Sequence, residues 1–302
     1  MLNKFFCLTK KYADRYPKRF GTLLALTGVI VLTPDTMIMR MSGLESWPLV
    51  GWRGVLSGFG LIFVWKLFSS DLIKDLKSLF SFPSLIVIIC FGLNSITFTL
   101  GIQETSVMVV LTALATMPIF AAVLSAIFMK ERQGFFGWLA IVLVLIGISV
   151  VVKDGHNATG QPGGSVLLGA IYGAITAFGL AVTFTIARKY QKLSILLAAA
   201  VGSIWSGLFG FYFSSYTSIF TAPLWTLISM GFLILPLSFA CLSIAPKYTT
   251  SAIVSLIMLL EMVIGPFWVW LGIGETPSNS MLLGSLIVLI VLALHIRRTQ
   301  FN

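Results

Sequence analysis

The sequence predicts an all-α membrane protein: ten transmembrane helices forming two inverted five-helix repeats. Three observations predict it. First, 58% of the 302 residues are hydrophobic and 10% are charged, with a mean hydropathy of +1.00, whereas soluble domains carry about 25% charged residues. Second, the apolar residues fall into ten stretches of bilayer length, separated by short loops. Third, the stretch from Thr249 to Pro277 has a relative from Thr105 to Gln133, 144 residues earlier. Thr105 aligns with Thr249 and Glu131 with Glu275 without a gap. Identities are few, so the relation rests on spacing and hydropathy.

Residues 1–19 hold Lys4, Lys10, Lys11, Arg15, Lys18 and Arg19 against Asp14, and read as a cytoplasmic basic arm. The spans are expected at 20–39, 46–68, 83–102, 105–129, 134–152, 165–187, 193–213, 223–244, 249–273 and 279–296. The first repeat is thus 20–152, the linker 153–164 and the second repeat 165–298. Segment 69–82 alternates charge with apolar positions and predicts a short interfacial helix. Segment 153–164 is polar and glycine-rich, as a joint between halves would be; its Asn157-Ala158-Thr159 fits a glycosylation sequon, a pattern common by chance. The N-terminal segment has no small-residue cleavage site, so no cleavable signal is expected. Cys7, Cys90 and Cys241 are too scattered for a disulfide or metal framework.

Lysine and arginine set the orientation. With the N-terminus inside, 17 of the 20 fall on the inner side, leaving Arg40 and Lys153 outside and Arg53 within a span. The positive-inside rule then puts both termini in the cytoplasm. Net charge is +10, but it sits at span ends and is no nucleic-acid signature. Five spans per half is an odd number, so the second half enters the membrane upside down relative to the first. Gly21–Arg40 and Gly169–Arg188 share their glycine-to-arginine spacing, in line with duplication. Inverted repeats of this kind commonly place a substrate site near the bilayer midplane.

Ten spans in two repeats, each closing its fourth span with a glutamate before a short turn (Lys130-Glu131-Arg132 and Gly274-Glu275-Thr276-Pro277), resemble the EamA-type permeases of the drug/metabolite transporter superfamily. The resemblance covers roughly 20–298. Family members carry a mid-span proline or Glu-Pro pair in the fourth and ninth spans. Met117-Pro118 fits this, while Glu261 is followed by Met262 and the proline comes at Pro266. The resemblance implies helices packed around a central cavity, lined by the first four spans of each half and braced by the fifth and tenth. It also implies movement of small organic solutes such as amino acids, their analogues or drugs, often outward, with proton coupling or exchange. A bacterial inner-membrane location and a monomer or weak homodimer in the lipid bilayer are expected, with no cofactor and no metal.

Six residues are candidates for substrate binding or coupling. Glu261 is an acid in the middle of an apolar span, where a charged side chain costs about 2.5–3.5 kcal/mol on insertion scales. No basic partner is evident at its depth. Desolvation penalises the charged form of a lone carboxylate, which suits a proton carrier or a group that binds an ammonium. The plainer reading is a protonated glutamate bonded to a neighbouring helix. Asp35 and Arg53 lie about 7 and about 9 Å below the outer end of adjacent antiparallel spans, at 1.5 Å per residue, and can pair. They read either as a structural ion pair or as an outer gate or substrate anchor. Asn94 and Ser238 hold matching places 144 residues apart and either bind helices together or touch substrate. Thr97, Thr112 and Thr116 are weaker, because hydroxyls often bond their own helix. Trp268 lies two turns past Glu261 and is a candidate cavity wall, whereas Trp52, Trp205 and Trp270 read as interface anchors. Pro118, Pro236 and Pro266 are hinge candidates, or static kinks.

An enzyme is disfavoured: His156 and His295 lie in a loop and at a span end, and no intramembrane aspartate pair occurs. No GxxxxGK[ST] motif offers ATP drive, and no filter-like repeat suggests a channel. A non-transporting scaffold or receptor is the alternative to a transporter.

Overall fold

The computed structural model describes residues 15–69, 71–129, 134–139, 141–143, 146, 164–274, 283, 286–287, 290–291 and 294. Every regular element among them is helical. Among the described residues, eight helices are long and apolar enough to cross a membrane, from Pro17–Met41 to Ile253–Ile273. They match the expected spans one to four and six to nine within a few residues. Residues 135–139, 141–143 and 146 of the fifth and the described residues of the tenth are helical; apart from Gly134, the rest of both spans, together with Glu131, Glu275 and residues 153–163 of the linker, lies outside the described residues.

The first span is α1 (Pro17–Leu32) followed by α2 (Asp35–Met41). Pro34 causes the break, since it has no N–H to give the Ile30 carbonyl. The Thr33 hydroxyl supplies that carbonyl instead, at 2.9 Å. The second span is α3 (Ser46–Phe68), and the expected interfacial helix is α4 (Leu72–Ser78), capped by Asp71. The third is α5 (Phe82–Glu104). The fourth divides into α6 (Val107–Leu114) and α7 (Met117–Met129). Pro118 withholds the donor for Leu114, and the Thr116 hydroxyl turns back onto the Ala113 carbonyl at 2.7 Å.

The sixth and seventh are α8 (Val166–Lys189) and α9 (Ile195–Tyr212). The eighth runs from α10 (Leu224–Leu227) through a π-helix, Ile228–Ile234, into α11 (Leu235–Ile244). The wide turn comes just before Pro236, where a proline removes the next helical donor. The ninth, α12 (Ser251–Ile273), stays continuous through Pro266 and stops at Gly274, whose φ of 83° is the left-handed cap that glycine permits.

Packing follows a repeated scheme. Helices α3 and α9 pack against each other; α1 packs on α11 as α8 packs on α5; α1 packs on α12 as α8 packs on α6 and α7; and α7 meets α12. Details repeat as well. Ser106 caps the Val109 N–H and Thr250 caps the Ile253 N–H. A Cβ on Gly21 would meet Thr249 Cβ at 3.1 Å, and one on Gly169 would meet Thr105 Cβ at 3.1 Å. Arg40 donates to the Thr105 carbonyl and Arg188 to the Lys247 carbonyl.

The α3–α9 contact brings backbone against backbone. A Cβ added to Gly54 would lie 2.5 Å from the Gly207 backbone, and one on Gly210 would lie 2.5 Å from the Gly51 nitrogen. Small residues let membrane helices approach to backbone contact, where dispersion supplies the association energy. Gly54→Val should therefore part these helices and remove the monodisperse peak in detergent size-exclusion chromatography. Gly134→Ala, where an added Cβ meets nothing within 4 Å, should leave that peak unchanged.

Candidate functional site

Asp35 opens α2 directly after the proline break and is fully buried. Arg53, on α3, reaches it from the adjacent span. Its Nη2 donates to Asp35 Oδ2 at 2.6 Å, Nη1 lies 2.7 Å from Met39 Sδ, and the guanidinium sits 5.0 Å from the Phe98 ring centroid. The pairing expected from span depth is therefore present. Each charge makes the other tolerable in a low-dielectric setting, and removing one strands its partner.

Behind this pair lies a cavity of about 40 Å³, enough for water but not for an organic solute. Helices from both halves of the chain wall it. Its polar lining includes Arg53, Asn94, Thr176, Ser203 and Glu261, set among Phe91, Phe98 and Phe239. Glu261 is 2% exposed. Arg53 lines the same cavity, but among the described residues its ion pair is with Asp35 and not with Glu261. Counting residues along separate spans misses this, because the long arginine side chain reaches inward from its own depth.

Among the described residues, Asp35 Oδ1, Asn94 Oδ1 and Ser203 Oγ are buried here with no hydrogen-bond partner. An unsatisfied buried polar atom costs about 1–3 kcal/mol. Asn94 and Ser203 both line the cavity, so their free atoms are available to whatever enters it. Thr97 and Thr176 instead satisfy each other at 2.8 Å.

The remaining candidates lie elsewhere. Ser238 is buried, but its hydroxyl bonds the Leu235 carbonyl of its own helix at 3.1 Å, where α11 meets Gly28. Trp268 is not in the cavity lining. Its indole N–H donates to the Thr33 hydroxyl at 3.0 Å, pinning the first-span break to α12. Trp268→Phe should cost about 1 kcal/mol through that lost bond, read as a lower midpoint of thermal unfolding in detergent. Pro118 and Pro236 lie at a helix break and beside a π-turn, whereas Pro266 lies inside a continuous helix. Ser203 and Thr176 were not singled out in the sequence. Neither type stands out within a span, and only the packing of α8 and α9 shows which hydroxyls face inward.

Comparison with known proteins gives this arrangement a context. The EamA-like transporter family profile matches residues 19–153. An uncharacterized transporter of Bacillus subtilis (strain 168), YdfC, is 23% identical over 222 residues, covering 71% of this chain and 69% of its own. A solved crystal structure superposes with a TM-score of 0.73, covering 92% of this chain and 97% of its own at 15% identity, a likeness of fold alone. The EamA-like assignment, the relative and the eight apolar helices together support an integral membrane transporter.

Proposed function

We propose that this chain is a secondary transporter of small organic metabolites, of the amino-acid, analogue or drug class. It works as an exporter or exchanger by alternating access, coupled to protons through Glu261. One observation carries the reading: three ionisable side chains converge at one buried place, and their charges do not cancel. Asp35 and Arg53 neutralise each other. Glu261 is left over, in a cavity with free polar atoms on Asn94 and Ser203. A proton or a cationic group of the substrate supplies the missing positive charge, and exchange between the two is a coupling device.

The repeated packing scheme and the capping residues 144 positions apart support two inverted five-helix repeats with the cavity between them. The small cavity reads as an occluded form, with the breaks before Pro34 and Pro118 and the π-turn before Pro236 as the joints that open it. The lysine and arginine bias supports cytoplasmic termini in a bacterial inner membrane.

The test is a thermal-shift screen of purified protein against amino acids and metabolites at two pH values. A solute that binds in the cavity should stabilise wild type, and Asn94→Ala should weaken its apparent affinity by up to about tenfold. Equal shifts for wild type and Asn94→Ala with every stabilising solute would put binding outside the cavity.

A further inference from the structure

A second site lies away from the cavity. A crevice of about 300 Å³ opens between α5, α7 and α8, lined by apolar groups that include Ile86, Leu124, Phe178 and Val182. At one end it adjoins a wider recess of about 670 Å³, with Pro83, Lys189 and Tyr190 lining both. Lys74 and Lys192 line that recess together with Ser78, Ser81 and Gln191. The Lys189 amine stands at the junction, 5.5 Å from the ring centroids of both Phe128 and Tyr190.

None of the three lysines has a carboxylate within 4.0 Å among the described residues. Asp75 in α4 and Asp71 at its cap are engaged: Asp75 accepts from Trp65 and Ser69, and Asp71 caps the Lys74 N–H. In the Gly21–Arg40 and Gly169–Arg188 alignment, Lys189 and Lys192 correspond to Met41 and Leu44. An apolar slot that ends at a span end in lysine amines with no carboxylate partner among the described residues suits an acyl chain leading to a phosphate.

We infer that this crevice binds an anionic phospholipid, with an acyl chain between α5, α7 and α8 and the headgroup phosphate on Lys74, Lys189 and Lys192. The site is separate from the transport cavity and does not depend on the transport reading.

Native mass spectrometry of detergent-purified full-length protein, titrated with phosphatidylglycerol or phosphatidylcholine, tests it. Phosphatidylglycerol should be retained preferentially. Lys189→Gln and Lys192→Gln should each weaken its binding about fivefold. Val182→Trp, which fills the slot and leaves the lysines in place, should weaken it too. Each variant is checked first for an unchanged elution profile, and the two kinds of variant attack the site independently. Equal retention of both lipids, or unchanged binding in all three variants, would overturn the inference. So would displacement by soluble glycerol 3-phosphate, since that makes the site one for free phosphate.

Discussion

Glu261→Gln should abolish proton-driven flux while leaving the protein folded and able to bind substrate. Gln keeps the size and hydrogen-bonding capacity of a protonated glutamate but cannot release a proton. A buried carboxylate already 2% exposed loses no packing by this change. In proteoliposomes with an imposed pH gradient, wild type should accumulate or expel the stabilising solute, and the variant should fall to the protein-free background. Solute exchange without a gradient should persist in part. A variant with unchanged pH-driven flux would remove Glu261 from coupling.

The second large effect concerns stability. Arg53→Met leaves Asp35 fully buried beside an uncharged chain, and Asp35→Leu leaves Arg53 stranded. Removing one member of a buried pair costs about 3–5 kcal/mol. Each single variant should therefore lower the thermal midpoint sharply or reduce the folded yield. The double variant should be more stable than either single one, because the uncompensated charge is gone while the apolar volume is kept. The interaction between the two changes should exceed about 1 kcal/mol. Exchanging the charges, Asp35→Arg with Arg53→Asp, should rescue less, because the Met39 and Phe98 contacts of Arg53 are not rebuilt. Purely additive effects would mean that the 2.6 Å contact does not couple the two residues.

The spans were legible because a bilayer leaves few alternatives: long apolar runs bounded by lysine and arginine must be helices across it. The breaks at Pro34 and Pro118 follow from the proline donor rule. The π-turn at Ile228–Ile234 carries no mark beyond Pro236 and was not foreseen. The Asp35–Arg53 contact was legible because it needs only two adjacent spans and a depth count. The contact of Arg53 with the Glu261 cavity joins residues far apart in the chain, and no local pattern encodes it. Asn94 and Ser238 show the limit of repeat spacing. Asn94 lies against Gly179 and Ser238 against Gly28, yet the amide lines the cavity and the shorter hydroxyl returns to its own helix.

On the proposed function, this cavity is the path through the membrane. Ser57 lines it, is 4% exposed and donates to the Gly54 carbonyl of its own helix. In a variant with Cys7, Cys90 and Cys241 replaced by serine or alanine, Ser57→Cys offers one thiol facing the path. Alternating access predicts labelling by a membrane-impermeant thiol reagent from each side of the bilayer in turn, with the balance between sides shifted by the solute identified in the screen. A thiol that stays unlabelled from one side while the same variant transports the solute would contradict the account.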